Sequence, residues 1–217
     1  MAVITFSYWF LLLIVSGIGI IRYKRLTRPF KVLTLSVIIS LIITIMSHIV
    51  SSRYRNNAPV IHIETITGYI FYSFAYYYLF KSKKIRIMIL ILIGVMTTFF
   101  IVNAILLQPF LKVFPTNIFL STQALYVIFS LLLYKQMLLY PLKINIFKQS
   151  AFWYNTAILF YATTMFVNLG LGNYVAEHHL VDYIIFYFWY FVLYMFFILI
   201  GVSFLTDTEE ISAANAY

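Results

Sequence analysis

Long apolar runs alternate with short polar breaks along the chain. Seven runs, at 3–21, 31–50, 61–80, 87–107, 118–139, 152–171 and 183–205, approach the length of a membrane span. A helix rises 1.5 Å per residue, so about 20 mainly apolar residues cross the hydrocarbon. The breaks read "RYKRLTRP" (22–29), "SSRYRNNAP" (51–59), "KSKKIR" (81–86), "QPFLKVFPTN" (108–117), "YPLKINIFKQS" (140–150) and "GNYVAEHHLVD" (172–182). A polar stretch, "TDTEEISAANAY" (206–217), follows the last run. Strands of a membrane barrel would alternate apolar and polar residues over about ten positions. These runs are about twice that length and nearly continuous. The pattern predicts an all-α integral membrane protein, an up-down bundle of seven transmembrane helices. Residues 1–205 form its one transmembrane domain and 206–217 a short tail. Short breaks make successive helices antiparallel neighbours.

Composition agrees with the pattern. The 217 residues are 64% hydrophobic and only 10% charged, against about 45–50% apolar and about 25% charged in soluble domains. No water-soluble fold covers that much apolar surface. The chain has no cysteine, which removes disulfides, thiolate metal sites and cysteine-linked haem.

The net charge of +9 acquires meaning from its distribution. The first, third and fifth breaks and their margins hold Arg22, Lys24, Arg25, Arg28, Lys31, Lys81, Lys83, Lys84, Arg86, Lys135, Lys143 and Lys148. The second, fourth and sixth hold Arg53, Arg55 and Lys112. Cations concentrate on the cytoplasmic side of membrane proteins, which predicts an outward N-terminus and an inward C-terminus. The first run lacks a basic region before it and reads as a retained span. The protein is expected to be multi-pass in the bacterial cytoplasmic (inner) membrane. The cations report topology, so nucleic acid is not an expected partner. Arg22, Lys24, Arg25 and Arg28, with Lys81, Lys83, Lys84 and Arg86, also suit anionic lipid headgroups.

With that topology the polar residues sort by side. His48 ends the second helix, and His62 and Glu64 begin the third, at the outer face. Glu177, His178, His179 and Asp182 lie in the last outer loop. Together these seven residues form a candidate ligand-binding or pH-sensing surface, because imidazole titrates near pH 6.5. Imidazole and carboxylate would suit a transition metal only where three or four converge, and no recognised metal spacing is present. No metal and no cofactor is expected. A solvated rim is the simpler reading, since loops and helix ends are where polar residues belong.

The second helix carries Ser36, Ser40, Thr44 and Ser47 on one face. Small hydroxyl residues of this kind pack helices closely, and they could also line a wet groove. Asn103, Gln123, Asn155 and Asn168 are further buried-polar candidates, each needing an inward partner. The aromatic runs "FYSFAYYYLF" (71–80) and "YIIFYFWYF" (183–191) fit an interfacial belt. No ionisable residue falls clearly at a midplane, which counts against a proton pump or charge-coupled carrier. The seventh helix has no lysine for a retinal Schiff base. No catalytic signature appears, so no enzymatic activity is expected.

Two stretches carry a resemblance: "SAFWYNTAILFYATTMF" (150–166) and "NNAPVIHIETITGYIFYSFAYYYLFKSKK" (56–84). Phe152, Trp153, Asn155, Ile158, Leu159 and Tyr161 match a Phe-Trp-x-Asn-x-x-Ile-Leu-x-Tyr pattern. Over about residues 26–172 the chain resembles small bacterial seven-helix membrane proteins similar to the sensor halves of histidine kinases. That pattern also has glutamates in the second, third and fifth helices, where the nearest positions here are neutral, Gln123 among them. The resemblance implies no activity. The expected function is a non-enzymatic membrane sensor that binds a ligand or senses pH outside and signals through a partner protein, a histidine kinase or other membrane subunit. The alternatives are a structural accessory subunit of a larger membrane complex and a carrier of a neutral or lipid-like molecule.

Overall fold

A computed structural model describes residues 2–142, 145–177 and 183–207. Seven long α-helices and no strand occur among them. They are α1 (Ala2–Arg22), α2 (Arg28–Tyr54), α3 (Ala58–Leu79), α4 (Lys83–Val102), α5 (Thr116–Leu139), α6 (Ser150–Glu177) and α7 (Tyr183–Thr206). Proline sets two of the starts. Pro29 and Pro59 occupy the first turns of α2 and α3, where a missing N–H costs nothing. Arg55 ends α2 in the left-handed region (φ 53°), with its N–H on the Ser51 carbonyl at 2.9 Å.

Among the described residues, five stretches are long and apolar enough to cross a membrane: Val3–Arg25, Arg28–Tyr54, Lys83–Leu107, Thr116–Leu139 and Phe186–Thr206. The expected third and sixth spans form helices of sufficient length, α3 and α6, but neither is among these five. In α3 the tyrosines, hydroxyls, His62 and Glu64 lower the hydropathy.

The helices group into two compact units. One comprises residues 1–18 and 123–217, the other 19–122. In the first, α6 and α7 run antiparallel. The Tyr161 and Phe196 rings lie 4.8 Å apart and the Ser150 hydroxyl donates to Asp207 at 3.1 Å. α1 runs parallel to α7. Tyr8 packs edge-on to Tyr190 (5.8 Å) and Tyr194 (6.2 Å), Thr5 reaches the Tyr190 hydroxyl, and Ser7 shares a hydrogen bond with that of Tyr194. α5 meets α6 through Tyr134–Thr156 (2.7 Å) and Asn155–Ser130 (3.0 Å). Asp207, expected in a solvated tail, is buried beside the start of α6. Its carboxylate there meets the positive end of the helix dipole.

In the second unit α2 and α3 form a tight antiparallel pair, with α4 antiparallel to α3. His62 against Phe100 and Arg86 over the Tyr77 ring mark the two ends of the α3–α4 seam. α4 closes in a π-helical turn, Asn103–Leu107, and a connection at 108–115 leads into α5.

Candidate functional site

Polar chemistry in the second unit gathers where α2 ends and α3 begins. Asn56 and Asn57 build that corner. The Asn56 side chain accepts from the Ala58 N–H (2.9 Å) and donates to the Leu111 carbonyl (2.7 Å). Asn57 donates to the Ser47 hydroxyl at 3.1 Å, tying the α3 start back to α2. Short amide side chains satisfy free backbone groups at helix starts in this way.

His62 is fully buried rather than part of a solvated rim. Its Nε2 lies 2.9 Å from the Val113 carbonyl, so Nε2 carries the hydrogen and donates. The ring packs against Phe100 of α4 (centroids 5.9 Å) and Phe110 of the connection (5.2 Å). Nδ1 has no hydrogen-bond partner. One side chain of α3 thereby anchors the connection 108–115, and Asn56 anchors it a second time.

An amide cluster braces the same connection from the α4 side. Asn103, fully buried in the π-helical turn, donates to the Gln108 side-chain oxygen (3.1 Å) and accepts from the Asn117 side chain (3.0 Å). The Asn117 backbone N–H also reaches Gln108 Oε1 (3.1 Å), and the Gln108 N–H returns to the Asn103 carbonyl (2.7 Å). The Gln108 N–H bond closes the widened turn, and the Gln108 side-chain oxygen takes up the Asn117 N–H in the first turn of α5. Such turns inside helices recur at functional positions.

The hydroxyl face of α2 meets α3. Ser36 is buried and Ser40 and Thr44 half-buried. Ser36 and Ser40 are in hydrogen-bond reach of the buried Tyr72 hydroxyl, and the Glu64 carboxyl is close enough to act on that phenol. Glu64 is half-buried and sits about 9 Å along the axis from the start of α3, deeper than the sequence pattern suggests.

The remaining expected residues spread out. His48 is exposed. Glu177 is the last residue of α6, while His178, His179 and Asp182 lie outside the described residues. Among the described residues no group of three His, Asp or Glu could hold a metal. Lys24, Arg25, Arg28, Lys81, Lys83 and Lys84 are exposed, and Arg22 and Arg86 half-buried. Of the six buried-polar candidates, Asn103, Gln123, Asn155 and Asn168 are buried, and Ser40 and Thr44 are half-buried. Asn103 and Asn155 bind other helices, whereas Gln123 Oε1 and Asn168 Nδ2 have no partner. Asn56, Asn57, Gln108, Asn117 and Tyr72 were not singled out from the sequence. The only signal was amides beside the prolines in "NNAP" and "QPFLKVFPTN".

The class that these elements define is an all-α protein with several helices apolar enough to cross a membrane, consistent with a multi-pass membrane protein. Comparison with family models, curated proteins and solved structures gives no match to the chain.

Proposed function

We propose that the protein is a seven-span sensor of the bacterial cytoplasmic membrane, with its N-terminus outside, that responds at its outer face to a ligand or to pH. The state is read by a partner protein, a kinase or another membrane subunit, through helix rearrangement. His62 carries this reading. It is a titratable side chain held inside the protein, and its one hydrogen bond goes to the connection 108–115. Anything that displaces that connection also disturbs α3. In the expected topology this corner faces outward, and the half-buried Glu64 and exposed His48 lie near it in the sequence of α2 and α3. A switch requires an element with two arrangements that the signal biases. In this reading the connection, pinned at Asn56, His62 and Gln108, is that element.

The test uses the cysteine-free background. Val113→Cys is alkylated in membranes between about pH 5 and pH 8, the range over which imidazole titrates. It is then alkylated in the presence of whatever small molecules co-purify with the protein. The thiolate is the reacting species, so each rate is normalised to that of an unstructured thiol under the same condition. A normalised labelling rate that changes with one of these conditions, and loses the change in His62→Phe, supports the reading. A rate indifferent to all of them removes the corner from any sensing role.

A further inference from the structure

The α2–α3 seam contains a carboxyl that the corner does not use. Two ties fix the register of the seam. Asn57 meets Ser47 at one end, and Tyr72 meets Ser36 and Ser40 further in. Glu64 lies between Asn57 and Tyr72 on α3, and Thr44 lies between Ser47 and Ser40 on α2. The polar groups therefore follow one another in the order Ser47, Thr44 with Glu64, Ser40, Tyr72, Ser36. From Ser47 to Ser36 the line covers about 16 Å of helix axis at 1.5 Å per residue. That is about half the thickness of a hydrocarbon core.

A carboxyl inside a span needs a counter-cation or a proton, because isolated charge is costly there. The elements packed against α3 supply no cation at its level. α4 has only Lys83, Lys84 and Arg86, all in its first turn at the opposite end. On α2 the nearest ionisable groups are His48 and Arg53, and on the connection Lys112, all three exposed. On α3 itself they are His62, which donates to Val113, and the Tyr72 phenol.

We infer that Glu64 is a proton-binding site, loaded from water at the α2–α3 corner, with Tyr72, Ser40 and Ser36 forming the hydrogen-bonded line that continues inward from it. The inference rests on the outer-face sensing reading and gives it a chemistry. A hydronium ion delivers one proton to the carboxylate and leaves as water, and the product is a neutral carboxylic acid. The neutral acid gains a donor and loses its field on the Tyr72 phenol. Protonation thereby alters the contact between α2 and α3.

Infrared difference spectra of the whole protein in lipid, acid minus neutral, test the site directly. A protonated-carboxyl band that appears on acidification, vanishes in Glu64→Gln and shifts in Tyr72→Phe is the expected result. A hydrophobic carbodiimide should also modify Glu64 in the intact protein, read by peptide mass, and should do so several-fold less in Ser36→Ala/Ser40→Ala. A spectrum unchanged by Glu64→Gln, or a carbodiimide adduct absent at Glu64, overturns the inference. Glu64→Gln retains size and hydrogen bonding, and a folded elution profile keeps a negative result meaningful. If the band is present but the normalised Val113→Cys labelling rate responds neither to pH nor to the co-purifying molecules, the proton site stands and the sensing reading fails. If the band is absent while labelling still responds, only the proton site fails.

Discussion

The His62 ring nitrogen Nε2 and the Val113 carbonyl stand 2.9 Å apart, and this bond joins the first turns of α3 to the connection that leads into α5. The two groups differ in surroundings. The ring is fully buried, whereas Val113 is 41% exposed. A carbonyl that can turn to water loses little when its donor goes, so the bond and the packing are separable. His62→Phe preserves a ring between Phe100 and Phe110 and should cost about 1 kcal/mol, the net value of one hydrogen bond. His62→Ala empties the site and should cost about 2–5 kcal/mol, as large-to-small core substitutions do. Thermal unfolding in detergent separates them. Equal losses for the two variants would mean that the ring packing contributes nothing.

The amide cluster should behave as a unit. Asn103→Leu leaves the Gln108 and Asn117 side chains short of a partner in a part-buried site. The expected loss is about 1–3 kcal/mol, the penalty for stranding a buried polar group. Gln108→Ala should cost a similar amount, and the double variant less than the sum, with a coupling of at least about 0.5 kcal/mol. Strict additivity in the double-mutant cycle would show that the three amides do not share one network.

Much of this architecture is legible in the apolar periodicity, because span length and helix breaks are one-dimensional properties. Pro29, Pro59 and the cationic breaks mark the helix starts directly. The site is less legible, for a physical reason. Asn56, Gln108 and Asn117 sit in polar breaks, where amides are expected to face water. Some of their partners, such as the Leu111 carbonyl and the Ala58 N–H, are backbone groups that no residue identity announces, and the rest are other amides of the cluster. His62 illustrates the same limit: a histidine near a helix start suggests a wet rim, but the connection folds over it. Asp207 reads as tail until α6 supplies the Ser150 hydroxyl.

Gly201 of α7 faces Val15 of α1. A Cβ built there would lie 3.5 Å from Val15 Cγ2, an ordinary van der Waals distance. Gly201→Ala should therefore be tolerated, and even stabilise the helix by up to about 1 kcal/mol. Gly201→Leu has no such room and should cost about 1–3 kcal/mol by overpacking. Small residues at helix crossings allow this closeness in membranes. The comparison is made by unfolding midpoint, and a Leu variant as stable as Ala would mean that α1 and α7 separate without penalty.

Labelling from the two sides of the membrane tests the topology of α2, α3 and α4, of which α3 alone is not apolar enough to cross by itself. Four exposed positions, replaced singly by cysteine, mark successive breaks: Lys24, Arg53, Lys83 and Lys112. The distribution of cations predicts that an impermeant maleimide on intact cells reaches Arg53→Cys and Lys112→Cys. Lys24→Cys and Lys83→Cys should react only after permeabilisation. Each adjacent pair isolates one helix. Lys24 and Arg53 bracket α2, and Lys83 and Lys112 bracket α4, both apolar enough to cross by themselves. Arg53 and Lys83 bracket α3, which is not. Should α3 lie along the surface instead of crossing, Arg53→Cys and Lys83→Cys would label from the same side, and every later break would invert. Opposite labelling of this pair means that α3 crosses despite its polar face, which its burial against α2 and α4 makes affordable: His62, Tyr69, Tyr72, Ser73 and Tyr76 are all hidden from the surface.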